Sequence, residues 1–298
     1  WTEARVNRYT VGSLIEAISD QFERAGLVYG HGTDNPWDEA VALVLAQTGA
    51  RDDVSEMQTD VPLSVVTDVI DLAERRVQQR IPLAYLLNRC TYMGLEFGVK
   101  RGVIVPRSPI GYLLQDGLEP WLPQHVGAVT DLCCGSGCLG IVAALLYPDA
   151  HVTLVDVDPL ACEVAQDNVA LHKLADRVTV LQADVTVGVV VPAADILLCN
   201  PPYVNAVDMQ SIPREYRAEP DLGLAAGELG LDVITPVLQR LPQLLNPRGL
   251  FVGEVGASAA AMLARHPQLP YIWPDLPMGG EGVFALEADA LSSHTARL

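Results

Sequence analysis

Residues 131–140 read Asp131-Leu132-Cys133-Cys134-Gly135-Ser136-Gly137-Cys138-Leu139-Gly140, and this spelling decides the architecture. A β-prone run over 127–132 leads into an acid. Glycines at 135 and 137 let the backbone turn sharply and approach a ligand with no Cβ in the way. The apolar stretch over about 138–147 reads as a helix whose first amide N–H groups are free to bind. Strand, glycine loop and helix in that order form a nucleotide-type loop. Further strands are expected at 152–157, 178–183, 194–199 and 249–255, with helices near 159–173 and 232–245. Such alternation means a parallel sheet covered by helices on both faces.

The end of the chain departs from that pattern. After a helix near 257–266, two strand candidates, 270–275 and 282–288, are separated only by a glycine-rich loop. Parallel neighbours need a long crossover, so these two are expected to run antiparallel. A plain dinucleotide domain would stay parallel. The expected fold class is therefore α/β: a doubly wound, mostly parallel seven-stranded sheet with an antiparallel last strand, the shape of class I S-adenosylmethionine-dependent methyltransferases.

Two cofactors compete for the glycine loop. The spelling is GxGxxG, and Asp156 lies 21 residues after Gly135 (156 − 135), which matches the dinucleotide fingerprint with its ribose-binding acid. An acid ending the second strand serves ribose hydroxyls in either case, because a carboxylate accepts two hydrogen bonds. Asp131 separates the readings. It would oppose a pyrophosphate, yet it suits the cationic sulfonium and α-amino group of S-adenosylmethionine. Asp184, ending the third strand, is placed to accept the exocyclic amine of adenine. Cys133 lines the loop. Asp156, Asp158 and Asp184 are also ordinary strand-end or cap carboxylates, Asp158 before Pro159 most simply so.

The fourth strand favours the methyl donor. It ends in Asn200-Pro201-Pro202-Tyr203. A residue preceding proline is pushed out of the helical region, so Asn200 and Pro201 are held extended. Neither proline has an N–H to donate. A stiff segment results, with two acceptors, the Asn200 side-chain oxygen and the Pro201 carbonyl. A primary amide or exocyclic amine brings two coplanar N–H donors to match, and the Tyr203 ring can stack on the flat group. Asn200, Pro201, Pro202 and Tyr203 are the expected catalytic residues, and Asn200 also borders the cofactor. The alternative is a proline-rich turn leaving a strand.

The first hundred residues read differently. Leu14, Ile15, Ile18, Phe22 and Ala25 share one helical face. Asn35-Pro36 reads as an N-cap followed by proline at the first helical position. Pro62 opens a third helix running to about Gln79. Glycine-punctuated β text over 90–106 follows, read as a hairpin. The expected division is a helical substrate-recognition domain over 1–88, a β-hairpin linker over 89–108 and a catalytic domain over 109–298. His31, in Gly30-His31-Gly32, is expected either to contact substrate or to cap a helix or bridge loops. Trp37 is expected to pack in a core or domain interface, and Arg107 to pair with an acid, contact with cofactor or substrate being the alternative.

Composition narrows the partners. Among 298 residues, 37 acidic and 19 basic side chains give a net charge of −18. A nucleic-acid binder needs a basic footprint to neutralise phosphates, so no direct DNA binding is expected, and a small molecule or a basic protein is the favoured partner. No apolar run of about 18 residues is present, so no membrane-spanning helix is expected. Trp1-Thr2-Glu3-Ala4-Arg5 lacks a signal-peptide pattern and is read as a trimmed start or as a chain whose disordered beginning is omitted. Six cysteines without a second CxxC or a Cys/His cluster imply no metal site and a reducing cytoplasm.

The sequence also resembles a known family. DLCCGSGCLG, VDVDP, the strand-ending NPPY and EYRAEPDLGLAAGELGL are similar to the protein-(glutamine-N5) methyltransferases over nearly the whole chain. The resemblance implies transfer of a methyl group from S-adenosylmethionine, leaving S-adenosylhomocysteine, to a glutamine side-chain amide in a translation protein. It implies that Asn200 to Tyr203 grip the substrate, and that Gly135, Gly137 and Asp156 grip the cofactor. One branch acts on ribosomal protein L-three, another on peptide-chain release factors. YGHGTDNPWDEA (29–40), RIPLAYL (80–86) and VPRSPIG (105–111) are similar to the ribosomal-protein branch, where the release-factor branch tends to carry PRPET in place of PRSPIG. A basic ribosomal protein also suits a chain this acidic. The release-factor activity, and an amino methyltransferase of DNA bases, stay open as alternatives.

Overall fold

The computed structural model describes residues 8–122, 125–188, 190–276 and 279–292. The chain divides into two compact units, Trp1–Cys90 with Pro213–Ala218, and Thr91–Ile212 with Glu219–Leu298.

The first unit is helical. Helix α1 (Val11–Ala25) starts with a capping box, in which the Thr10 hydroxyl accepts from the Ser13 amide at 3.3 Å and the Ser13 hydroxyl accepts from the Thr10 amide at 2.9 Å. Helix α2 (Pro36–Thr48) is capped by Asn35, whose Oδ1 accepts from the Asp38 amide at 2.9 Å. Helices α3 (Leu63–Gln79) and α4 (Leu83–Leu87) complete it. Leu14, Ile15 and Phe22 of α1, Leu43 and Val44 of α2, and Val66 and Val69 of α3 form its core. Trp37 does not join them. It is 48% exposed, because a side chain on a helix's first turn leans back past the start of the helix.

Through this apolar core runs a buried charge cluster. Arg76 is 1% exposed, pairs with Glu39 and lies 3.8 Å from Glu215, and its Nη2 donates to the Val28 carbonyl at 3.1 Å. Glu215 also accepts from Arg80 at 3.2 Å and from the Val28 amide at 3.2 Å. Burial alone would raise the Glu215 carboxyl, but these donors outweigh it and hold it below the usual range.

A hairpin of β1 (Arg89–Tyr92) and β2 (Leu95–Gly98) precedes α5 (Ile110–Gln115). The second unit then alternates: β3 (Ala128–Leu132), α6 (Cys138–Leu146), β4 (His151–Asp156), α7 (Pro159–Leu171), β5 (Val178–Gln182) and β6 (Ala194–Cys199). The short α8 (Asp208–Ser211) is followed by α9 (Ile234–Leu244), β7 (Leu245–Glu254), α10 (Ala259–Arg265), β8 (Val283–Glu287) and α11 (Ala288–Ser292). The sheet order is β5-β4-β3-β6-β7-β8, with β8 antiparallel to β7 and the other pairs parallel. Strands buried on both faces read as continuous apolar runs, as Ile196-Leu197-Leu198-Cys199 and Leu250-Phe251-Val252 do.

Six strands form this sheet where seven were expected. Segment 270–275 contributes one antiparallel bridge, in which Ile272 and Ala285 exchange hydrogen bonds of 2.9 and 2.8 Å. The next ladder positions on that side are residues 270 and 274. Both are proline and cannot donate, so the strand stops at a single rung. No helix among the described residues is long and apolar enough to cross a membrane.

Candidate functional site

The site lies where the strand order reverses. From β3 the chain moves through β4 and β5 to one side, and β6 and β7 lie on the other. Ligands of open α/β sheets bind at the carboxyl ends of the strands flanking such a switch point. Leu132 is in register with Cys199, so the glycine loop leaving β3 and the Asn200–Tyr203 segment leaving β6 start side by side. Asp156 ends β4, and Asp184 follows β5 at the same edge. The structure thus brings every expected site residue to one edge.

On the β3–β4 side, the Gly135 amide donates to Asp156 Oδ2 at 2.8 Å, and the Asp158 amide donates to Asp156 Oδ1 at 3.0 Å. Gly135, Gly137 and even Cys133 take positive φ, of 55°, 78° and 58°. That conformation is uncommon for a residue with a side chain and clusters at functional sites. A hydrogen bond with Cys199, reinforced by burial, pushes the Cys133 thiol well above its ordinary value. Asp158 caps α7, its Oδ1 accepting from the Leu160 amide at 2.9 Å. Asp184 spends Oδ1 on the Thr186 hydroxyl and amide, at 2.6 and 2.8 Å, which hold it below the usual carboxylate range.

Asp131 is the most informative residue here. It is 1% exposed, and Oδ2 accepts from the Gly140 amide at 2.9 Å. Oδ1 is buried with no protein partner. Burial pushes the carboxyl up to about 7, the Gly140 amide opposing this and the neighbouring charge of Asp156 adding to it. A half-satisfied buried acid is costly to keep. It fits an ammonium group, and so fits the amino-acid end of S-adenosylmethionine and opposes a pyrophosphate.

On the β6–β7 side Pro201 is buried, while Asn200, Pro202 and Tyr203 are half-buried. Tyr203 is fixed from several directions. Its hydroxyl donates to Glu254 Oε1 at 2.8 Å, and its carbonyl accepts from the Ser258 hydroxyl at 2.8 Å. A Cβ on Gly256 would fall 2.6 Å from a Tyr203 ring carbon, and one on Gly230 would fall 2.2 Å from its carbonyl oxygen. The chain then pairs with a returning segment, the Val204 amide donating to the Leu224 carbonyl at 2.8 Å.

Sequence reading missed Glu254, Ser108 and Glu219. Glu254 ends β7 at the same carboxyl edge, so the rule that located Asp131 and Asp156 applied to it as well. Glu219 accepts from the Val105 amide at 3.1 Å and pairs with Arg107, the acid partner expected for that arginine. His31 stacks on Tyr216 with ring centroids 4.5 Å apart, inside the helical unit. Gly30 makes room for this, since a Cβ there would fall 2.3 Å from the Tyr216 hydroxyl. The two motifs YGHG and EYRAEPD therefore meet, and His31 bridges segments.

A doubly wound sheet with an antiparallel edge strand, and a glycine loop at its switch point beside a buried acid, match the class I S-adenosylmethionine-dependent methyltransferases. The model of the methyltransferase small domain family matches residues 114–215. The hMettl16 catalytic domain in complex with a 3′UTR hairpin shares the fold, with a TM-score of 0.50 and 16% identity over 75% of this chain and 80% of that one. The ribosomal protein uL3 glutamine methyltransferase of Bordetella pertussis is 40% identical over 95% of this chain and 97% of its own length. The Francisella tularensis enzyme of the same name is 34% identical over 97% and 93%. The chain belongs to the ribosomal protein uL3 glutamine methyltransferase family.

Proposed function

We propose that this chain transfers a methyl group from S-adenosylmethionine to the side-chain amide nitrogen of a glutamine in ribosomal protein uL3. One observation carries the reading: the Asn200–Tyr203 segment leaves β6 directly beside the glycine loop leaving β3, at the switch point of the sheet. The bound cofactor supplies an electrophilic methyl group on a sulfonium. Asp131 holds its ammonium group, Asp156 accepts from its ribose hydroxyls, and Gly135 and Gly137 allow the close backbone approach. Asp184 and Cys133 border the adenine side and the loop.

An amide nitrogen is a weak nucleophile because its lone pair is delocalised into the carbonyl. The Asn200 side-chain oxygen and the Pro201 carbonyl accept its two N–H bonds, orienting the nitrogen and offsetting the positive charge that develops on it. Pro202 stiffens the segment, and Tyr203 stacks on the flat amide. Positioning and charge compensation of this type lower a barrier by several kcal/mol. The proton leaves after transfer, so no prior base is needed. The helical unit selects the protein substrate. We place the reaction in the cytoplasm, which agrees with six free cysteines.

The test offers purified uL3, a release factor and DNA, each with labelled cofactor. Label on a glutamine of uL3 is expected, lost in Asn200→Ala while the fold, read by circular dichroism, persists. Label on the release factor or DNA, with uL3 unlabelled, overturns the reading.

A further inference from the structure

Glu254 is an unexpected residue at its position. The strand leading to it, Leu250-Phe251-Val252-Gly253, is buried and carries no charge, and Glu254 itself is 5% exposed. Burying a carboxylate in such surroundings is costly unless both oxygens find donors. Both do: Oε1 accepts from the Tyr203 hydroxyl at 2.8 Å, and Oε2 from the Ser108 hydroxyl at 2.6 Å. Ser108 is itself held, because its carbonyl accepts from the Tyr92 hydroxyl at 2.6 Å. Three residues before it, Val105 is tied through its amide to Glu219, and the adjacent Arg107 pairs with that same acid. The donor behind Glu254 therefore stands on a chain segment fixed at both ends.

We propose that Glu254 is the positioning residue of the amide-binding segment: backed by Ser108, it fixes the Tyr203 phenol and so sets the plane on which the substrate amide is laid. This rests on the function proposed above. A carboxylate accepting two hydroxyl bonds leaves the phenol one direction in which to point, and Gly256 beneath the ring removes the space for an alternative tilt. Without that bond the phenol oxygen has no fixed position, and the ring is free to rock about its Cα–Cβ bond.

The test compares Glu254→Gln, Tyr203→Phe and the double variant in full-length protein. Gln keeps the size of Glu but turns one acceptor into a donor, and retained cofactor binding shows that the variants fold. Each single change is expected to lower kcat on uL3 by roughly tenfold, with KM for the cofactor unchanged, and the double variant is expected to be no worse than either. Tyrosine-labelled NMR reads the same point without substrate, with a fixed Tyr203 ring environment in the parent and an averaged one in Glu254→Gln. Parental kcat in Glu254→Gln, losses that multiply in the double variant, or an unchanged ring signal overturns the proposal. If the parent protein puts no label on uL3, the functional reading fails, and the NMR result alone decides the role of Glu254.

Discussion

Replacing Asp131 by Asn separates what this residue costs the fold from what it does for the cofactor. Burial raises its carboxyl from 3.8 to about 7. Between those two values the folded chain holds a proton there that the unfolded chain has released, so this contribution favours folding at low pH and is lost as pH rises through about 7. At 1.36 kcal/mol per pH unit, ionised Asp131 costs the cofactor-free protein up to about 4 kcal/mol at pH 8. Asn removes that cost but leaves a buried NH₂ group, worth about 1–3 kcal/mol against it. Asp131→Asn is therefore expected to be more stable than the parent at pH 8, by about 2 kcal/mol, and to lose this advantage at pH 4. Binding runs the other way. Only the ionised carboxylate pairs with an ammonium group, so parental affinity for S-adenosylmethionine is expected to fall about tenfold from pH 8 to pH 6. Asp156, whose carboxyl burial also raises, adds to the loss on the acid side. In Asp131→Asn the affinity is lower at pH 8 and its slope with pH is flatter. Calorimetric titration at pH 6, 7 and 8, with thermal melts of the cofactor-free forms, measures both effects. A flat parental affinity together with unimpaired binding by the variant refutes the reasoning.

Two further outcomes follow from the packing. Gly256→Ala drives a Cβ into the Tyr203 ring and is expected to reduce kcat on uL3 while leaving cofactor affinity intact, which initial-rate kinetics with both substrates varied will read. Arg76→Met leaves Glu39 and Glu215 buried without their shared cation, and chemical denaturation is expected to show a loss of about 3–5 kcal/mol; an unchanged midpoint contradicts the account of the helical core.

What the sequence disclosed depended on how local the cause was. Helix α2 was legible because Asn35 and Pro36 are a start signal in themselves. The alternation of strands and helices was legible for the same reason, and with it the doubly wound fold. The sheet's extra strand was misjudged because hydrophobic text over 270–275 hides two prolines spaced to block successive rungs. Trp37 stays outside the helical core because aromatic character says nothing about which way a first-turn side chain leans. Ser108 and Glu254 lie 146 residues apart, and Arg76 and Glu215 139 apart (215 − 76). No spacing rule connects residues so distant, and only folding brings them into contact.

The six residues Pro213–Ala218 belong by their packing to the helical unit, although the chain on either side belongs to the sheet unit. A recombinant sheet unit produced without the N-terminal ninety residues would therefore carry a hexapeptide stripped of its partners, with Glu215 and Tyr216 left uncovered. Any attempt to exchange the helical units of relatives must transplant two stretches of gene together, because no single cut separates the halves.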